Sequence, residues 1–141
     1  MFFTDRLCLR AFRDDDIPKI QALETEPKLR SGINLGYTLP PKPSYADEIK
    51  KIVETSFCYT IVEQREDGAF IGVAGFKAKV DGSRSVEIFI VPAPEYWYKG
   101  YSREIGRFLL EYAFVELGMH RVWAGGVAPD GSTFVKLYSL L

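Results

Sequence analysis

The chain carries one histidine, two cysteines, two methionines and two tryptophans among its 141 residues. A single imidazole, His120, is too few for a multi-histidine metal site and leaves none to spare for a Ser-His triad. It falls where a helical pattern gives way to a strand-like one and reads as an ordinary junction residue. Cys8 and Cys58 each lie in an apolar, strand-like run. They read as reduced, buried core residues, because a redox or zinc pair needs closer spacing or more ligands. No metal is expected. An excess of either charge is also missing: 18 Lys and Arg stand against 19 Asp and Glu, for a formal net charge of −1. That balance excludes a broad basic footprint for nucleic acid and leaves only local basic sites. No apolar run is long enough to span a bilayer, and Met1-Phe2-Phe3 passes at once into charge, unlike a secretory signal. The expectation is a cytoplasmic protein with neither membrane nor nucleic-acid partner.

What is present is a hydrophobic fraction of 47%, aromatics included, enough to pack one core without disulfides. No shift of composition divides the chain, so residues 1–141 read as one domain. Residues 6–13 alternate as a strand, with Leu7, Leu9 and Ala11 on one side and Cys8 and Arg10 on the other. Asp14, Asp15 and Asp16 offer an N-cap and negative charge to a helix whose face is Ile17, Ile20 and Leu23. The stretch 28–43, broken by Gly32, Gly36, Pro40, Pro41 and Pro43, reads as a loop, either a spacer or the rim of a substrate entrance. Ser44 and Asp47 resemble a capping box for a second helix with Tyr45, Ile49, Ile52 and Val53 on its apolar face. Two hairpins follow. Residues 57–62 and 69–80 flank the Asp67-Gly68 turn, and Asp81-Gly82 leads into a strand over 86–91. The strongest helix covers 101–117, with Ile105, Phe108, Leu109, Tyr112 and Ala113 on one face and Gly118 as its stop. A strand over 121–127 and a last helix over 132–141 complete the order.

Two local features meet near residue 92. The strand 86–91 is apolar except for Glu87 and runs into Pro92, which has no N–H for a ladder, so it is expected to diverge from its next neighbour. Then Lys99-Gly100-Tyr101-Ser102 opens the strong helix. A glycine-containing turn at a helix start gathers unpaired amides at the positive end of the helix dipole, which suits an anion. Lys99 and Arg103 add positive charge. By itself this signal is common, since many helices begin after glycine and bind nothing.

The run Glu95-Tyr96-Trp97-Tyr98-Lys99-Gly100-Tyr101-Ser102-Arg103-Glu104 resembles the cofactor loop of the GNAT acetyltransferase superfamily, Q/R-x-x-G-x-G/A. The likeness is to the branch that includes ribosomal-protein N-terminal-alanine acetyltransferases. Thr4-Asp5-Arg6-Leu7-Cys8-Leu9-Arg10, Phe70-Ile71-Gly72-Val73-Ala74-Gly75 and Leu117-Gly118-Met119-His120-Arg121-Val122 match other stretches of that family, in order along the chain. The resemblance implies an α/β (α+β) fold: a mixed, mostly antiparallel central sheet with helices on both faces. It also implies acetyl-CoA as co-substrate, with pantetheine between two splayed parallel strands. The cofactor residues it indicates are Phe89, Ile90, Val91, Tyr98, Lys99, Gly100, Tyr101, Ser102 and Arg103. Trp97 stands at the usual Gln/Arg position. Tyr98 replaces a common glycine, so its side chain must point away from the phosphates, and Ser102 replaces Gly or Ala.

Acetyl transfer to an amine needs a neutral amine, a stabilised oxyanion and a proton for the departing thiolate. Glu87 matches a glutamate that the family often uses, and burial would raise its pKa toward a base's role. The alternative is a partly exposed strand carboxylate, or one paired with a structural arginine. Tyr138 falls at the position of the family's leaving-group acid in N-x-x-A/S-x-x-x-Y, and the alternative is an ordinary core tyrosine. Gly131 and Phe134 depart from that motif. A backbone N–H at 89–91 is expected to face the oxyanion. The family's last two strands have no counterpart before Leu141, so the strand 121–127 is expected to be an uncovered edge. Gly125 and Gly126 mark either a close backbone approach there or a bulge. Two copies are expected to associate near this edge as a homodimer, or another segment to fold over it. Two readings of function stand: an N-acetyltransferase acting on a primary amine of a peptide N-terminus or a small molecule, and a degenerate relative that binds acyl-CoA or a protein partner without catalysis.

Overall fold

The computed structural model describes residues 1–32, 45–78 and 82–124. Along the chain run β1 (Phe2–Phe3), β2 (Leu7–Ala11), α1 (Ile17–Glu24), α2 (Pro27–Gly32), α3 (Tyr45–Thr55), β3 (Cys58–Gln64), β4 (Phe70–Phe76), β5 (Ser85–Pro92), α4 (Tyr101–Glu111) and β6 (Arg121–Trp123). The six strands lie side by side in chain order. Every pair is antiparallel except β5 with β6, which is parallel. Parallel neighbours need a crossover, and α4 supplies it.

Alternation along the strands divides the core between the two faces of the sheet. Leu7, Leu9, Val62, Ile71, Ala74, Phe76, Val86, Ile88 and Ile90 pack against Tyr101, Ile105, Leu109 and Ala113, so α4 covers one face. Ile61 and Val73 point to the other, where Ile20, Leu23, Leu29 and Ile49 bring up α1, α2 and α3. An added Cβ at Gly72 would stand 2.2 Å from the Val91 carbonyl, so glycine there lets the end of β5 lie close on β4.

The expected elements recur with corrections. Residues 27–32, expected in part as loop, form α2: Pro27 suits a first helical position, and Leu29 is buried beneath α1 and α3. Ile52 is 47% exposed and off the apolar face of α3, which Tyr45 and Ile49 define by fourfold spacing. The α-helix begun at Tyr101 ends at Glu111 and continues as a π-turn, Tyr112–Glu116, before Gly118 (φ +64°) stops it. Phe2–Phe3 adds an edge strand whose Phe2 packs on Phe108 and Tyr112. The β4 strand stops at Phe76, and Val80 and Asp81 lie outside the described residues, as do Ser44 and the expected helix at 132–141. Both cysteines are free, Cys8 buried and Cys58 only half-buried.

The three aspartates do not cap α1 with their side chains. Instead Asp16, 1% exposed, takes two hydrogen bonds from Arg10, at 2.9 and 2.7 Å, and a third from the Arg13 N–H at 2.8 Å. Arg10 also reaches Glu63 at 2.6 Å. The hydrogen bonds from Arg10 hold the Asp16 carboxyl below the usual range despite burial. Removing one partner strands a buried charge, so Asp16→Ala is expected to lower unfolding stability by about 3 kcal/mol at neutral pH in a urea titration. Because the folded-state pKa is depressed, the wild type holds this contribution above the ordinary carboxylate value of about 4. It loses the contribution as pH falls through the lower folded value, and the variant should show a flatter decline there.

Candidate active site

The parallel ladder of β5 and β6 joins only Ser85–Glu87 to Arg121–Trp123. The β5 strand runs on to Pro92, and on the β6 side no described strand lies beside its last five residues. On its other side, the Lys77 N–H bonds Glu87 O and the Ala93 N–H bonds Ile71 O, both at 2.8 Å, so the odd-numbered residues of β5 spend their backbone groups on β4. By antiparallel geometry the even-numbered residues face the other way. Of the three residues expected to offer an oxyanion donor, only Ile90 therefore aims its N–H beyond the ladder. Phe89 and Val91 give theirs to β4.

From the end of β5 the chain turns through Pro94–Tyr96 to Trp97, whose indole Nε1 donates to Pro92 O at 2.9 Å. Trp97 also packs among the residues beneath α1 and α3, so it brackets the loop to the strand it leaves. Sequence patterning offers no sign of this role. Tyr98 then adopts φ +61° with its side chain 86% exposed, and Gly100 adopts φ +82° as the N-cap of α4. A left-handed aromatic residue is strained, which accounts for the usual glycine at Tyr98's position. The first intrahelical bond is Glu104 N–H to Gly100 O at 3.1 Å. The amides of Tyr101, Ser102 and Arg103 precede it and have no carbonyl within the helix, and no side-chain cap takes them. Lys99 stands with Nζ 5.6 Å from the centre of the Tyr96 ring, and Arg103 is exposed. Unpaired amides at the positive end of a helix dipole, in a segment that also carries Lys99 and Arg103, are features that suit a polyanion.

The N-terminal arm holds this loop from behind. Glu104, in the first turn of α4, accepts from Thr4 Oγ1 at 2.5 Å, from the Arg6 N–H at 2.8 Å and from Arg6 Nε at 2.8 Å. Burial would raise its carboxyl, but these hydrogen bonds prevail and hold it below the usual range. Arg6 Nη1 donates to Lys99 O at 3.0 Å, and its guanidinium lies 4.3 Å from the centre of the Tyr101 ring.

Glu87 occupies the last rung of the β5–β6 ladder, opposite Trp123, with Oε1 2.6 Å from Lys77 Nζ. It alternates onto the sheet face of Phe89 and Val91, where Phe89 meets Tyr59 at 5.4 Å. Burial, then the charges of Glu24 and Asp16, push the Tyr59 hydroxyl pKa up. Tyr138, Gly131 and Phe134 lie outside the described residues, as do Gly125 and Gly126; of the edge strand expected over 121–127, Arg121–Trp123 are described, as β6 at the end of the sheet order. No helix among the described residues is long and apolar enough to cross a membrane.

The chain is 29% identical over 128 residues to an uncharacterized N-acetyltransferase, YoaA, of Bacillus subtilis, covering 86% of this chain and 70% of that protein. It superposes on a GNAT-family acetyltransferase from Bacillus anthracis with TM-score 0.80 at 20% identity, over 98% of this chain and 80% of that one. A chimeric spermidine N-acetyltransferase from Vibrio cholerae and hSSAT is similar with TM-score 0.73 at 27% identity, over 96% and 78% of the two chains. The Vibrio cholerae spermidine N-acetyltransferase in complex with CoA and spermine superposes with TM-score 0.75 at 24% identity, over 95% and 78%. The model of the acetyltransferase (GNAT) domain family matches residues 6–128. The chain therefore belongs to the GNAT acetyltransferases and is an acetyl-CoA-dependent acyltransferase.

Proposed function

We propose that the chain transfers an acetyl group from acetyl-CoA to a primary amine, carried by a small molecule or by a peptide N-terminus. The observation that carries this reading is the start of α4, where Gly100 turns left-handed and three amides stand without intrahelical partners beside the end of β5 that β6 leaves unpaired. The residues present fit the group. Tyr101, Ser102 and Arg103 would hold the pyrophosphate through their N–H groups, with Lys99 and Arg103 supplying charge. Acetyl-CoA brings a thioester whose carbonyl accepts charge as the amine adds. The Ile90 N–H, which points away from β4, would donate to that oxygen, the electrostatic service such a site mainly provides.

On the neighbouring face Glu87 is the carboxylate nearest the end of the ladder and serves as base, directly or through water. Tyr138 supplies the proton to the departing sulfur. A small-molecule amine gains support from the 27% identical relative, which is named a spermidine N-acetyltransferase. The test is thermal melting with and without CoA. At a concentration one hundred times Kd, a ligand that binds only the folded chain adds about 2.7 kcal/mol, expected to raise Tm by roughly 5–10 °C. No rise at millimolar CoA would sink the cofactor assignment. A free-thiol release assay across a panel of amines, spermidine and an alanyl peptide among them, then identifies the acceptor class.

A further inference from the structure

We propose that Arg6 is a positioning residue for the cofactor loop, setting the orientation of the Lys99–Gly100 peptide from outside the binding face; the inference rests on the acetyl-CoA reading above. A trans peptide is planar, with its C=O and N–H pointing in opposite directions. Arg6 Nη1 holds the Lys99 carbonyl at 3.0 Å, which turns the Gly100 N–H away from the N-terminal arm. The same guanidinium is fixed on two other sides. Nε donates to Glu104 Oε2 at 2.8 Å, and the plane lies over Tyr101. Glu104 is itself pinned by Thr4 and the Arg6 N–H, and its position four residues into α4 ties the arm to the helix whose amides face the anion.

The arrangement joins residues almost a hundred positions apart in the chain. Its ion pair is half-exposed on the Arg6 side, 46% against 17% for Glu104, and such pairs contribute little to stability. What the contacts do define is geometry. The loop contains two left-handed residues, Tyr98 and Gly100, and Arg6 grips the peptide just before the second of them. A planar fork holds Lys99 O and Glu104 through separate nitrogens in fixed directions, whereas an ammonium brings one nitrogen with rotating donors and fixes neither direction.

The experiment is calorimetric titration of CoA into the wild type, Arg6→Met, Arg6→Lys and Glu104→Gln at one ionic strength, reading affinity and stoichiometry separately. Both Arg6 variants are expected to raise Kd by about tenfold with stoichiometry unchanged. Glu104→Gln, which can set an amide donor against Arg6 Nε, should move Kd in the same direction. Wild-type affinity in Arg6→Lys would overturn the proposal, because charge alone would then suffice. A fall in stoichiometry at constant Kd would overturn it too, since that reports lost folded protein. Wild-type binding equalled by Arg6→Met overturns this inference alone, whereas a wild type that takes up no CoA overturns the cofactor reading and this inference with it.

Discussion

Gly100→Val is expected to weaken CoA binding at least about tenfold and so to cut the rise in Tm caused by a fixed CoA concentration by about half or more. The reason lies in the backbone. At φ +82° a β-branched residue is strained by on the order of 1–3 kcal/mol, and relaxing that strain rotates the peptide on which α4 begins. The amides of Tyr101, Ser102 and Arg103 would then no longer converge. The position of the missing side chain sharpens the expectation. A Cβ built at Gly100 meets only Arg6 Nη2, at 3.4 Å, so it points toward the arm and not across the amides. Steric exclusion of the phosphates is therefore the lesser effect. Asparagine tolerates left-handed backbone, and Gly100→Asn should recover much of the binding that valine loses. Equal binding by Gly100→Val and the wild type in the same titration would remove the loop from the cofactor site.

The start of α4 was legible because its signals are local: a glycine beside a lysine, then apolar positions at helical spacing, closed by Gly118 at φ +64°. The hairpin of β3 and β4 was legible for the same reason, through alternation and Asp67-Gly68. Contacts made across the fold left no such trace. Thr4 and Arg6 stand in a stretch that the family resemblance picks out, yet nothing in its pattern says that they close on Glu104. Trp97 reads as a departure from the family's Gln/Arg, and only the turn at Pro94–Tyr96 brings its indole back to Pro92 O. The partner of Glu87 was open for a similar reason. Periodicity puts a carboxylate on β5 but does not say which cation the hairpin brings beside it, and here it is Lys77 from the end of β4. The expected oxyanion donor could be given only as a range, 89–91, since the choice of Ile90 depends on the register of β5 against β4. α2 was missed where Pro27, a helix starter, precedes a run rich in breakers, and Leu29 wins the segment by burial.

In an assay with an accepted amine, Glu87→Gln is expected to lower kcat by about a hundredfold, with the largest loss at the acid end of the pH profile. There the amine is most protonated and most needs a base, so a base's removal is felt more than at alkaline pH. Tyr138→Phe should lower kcat to a similar degree while leaving the Kd for CoA near its wild-type value, as loss of a leaving-group acid requires. Lys77 separates the roles open to Glu87. Its ammonium holds Oε1 at 2.6 Å, so Lys77→Met removes that contact while keeping the carboxylate. If Glu87 takes the proton from a held position, Lys77→Met lowers kcat less than Glu87→Gln and leaves the KM for acetyl-CoA unchanged. If the pair only braces the edge where β5 leaves β6, the two variants should lose thermal stability alike and keep the wild-type pH profile. Unchanged profiles in both Glu87→Gln and Tyr138→Phe would mean that catalysis proceeds by holding amine and thioester in contact, with the Ile90 N–H as its electrostatic aid and no side chain carrying the proton.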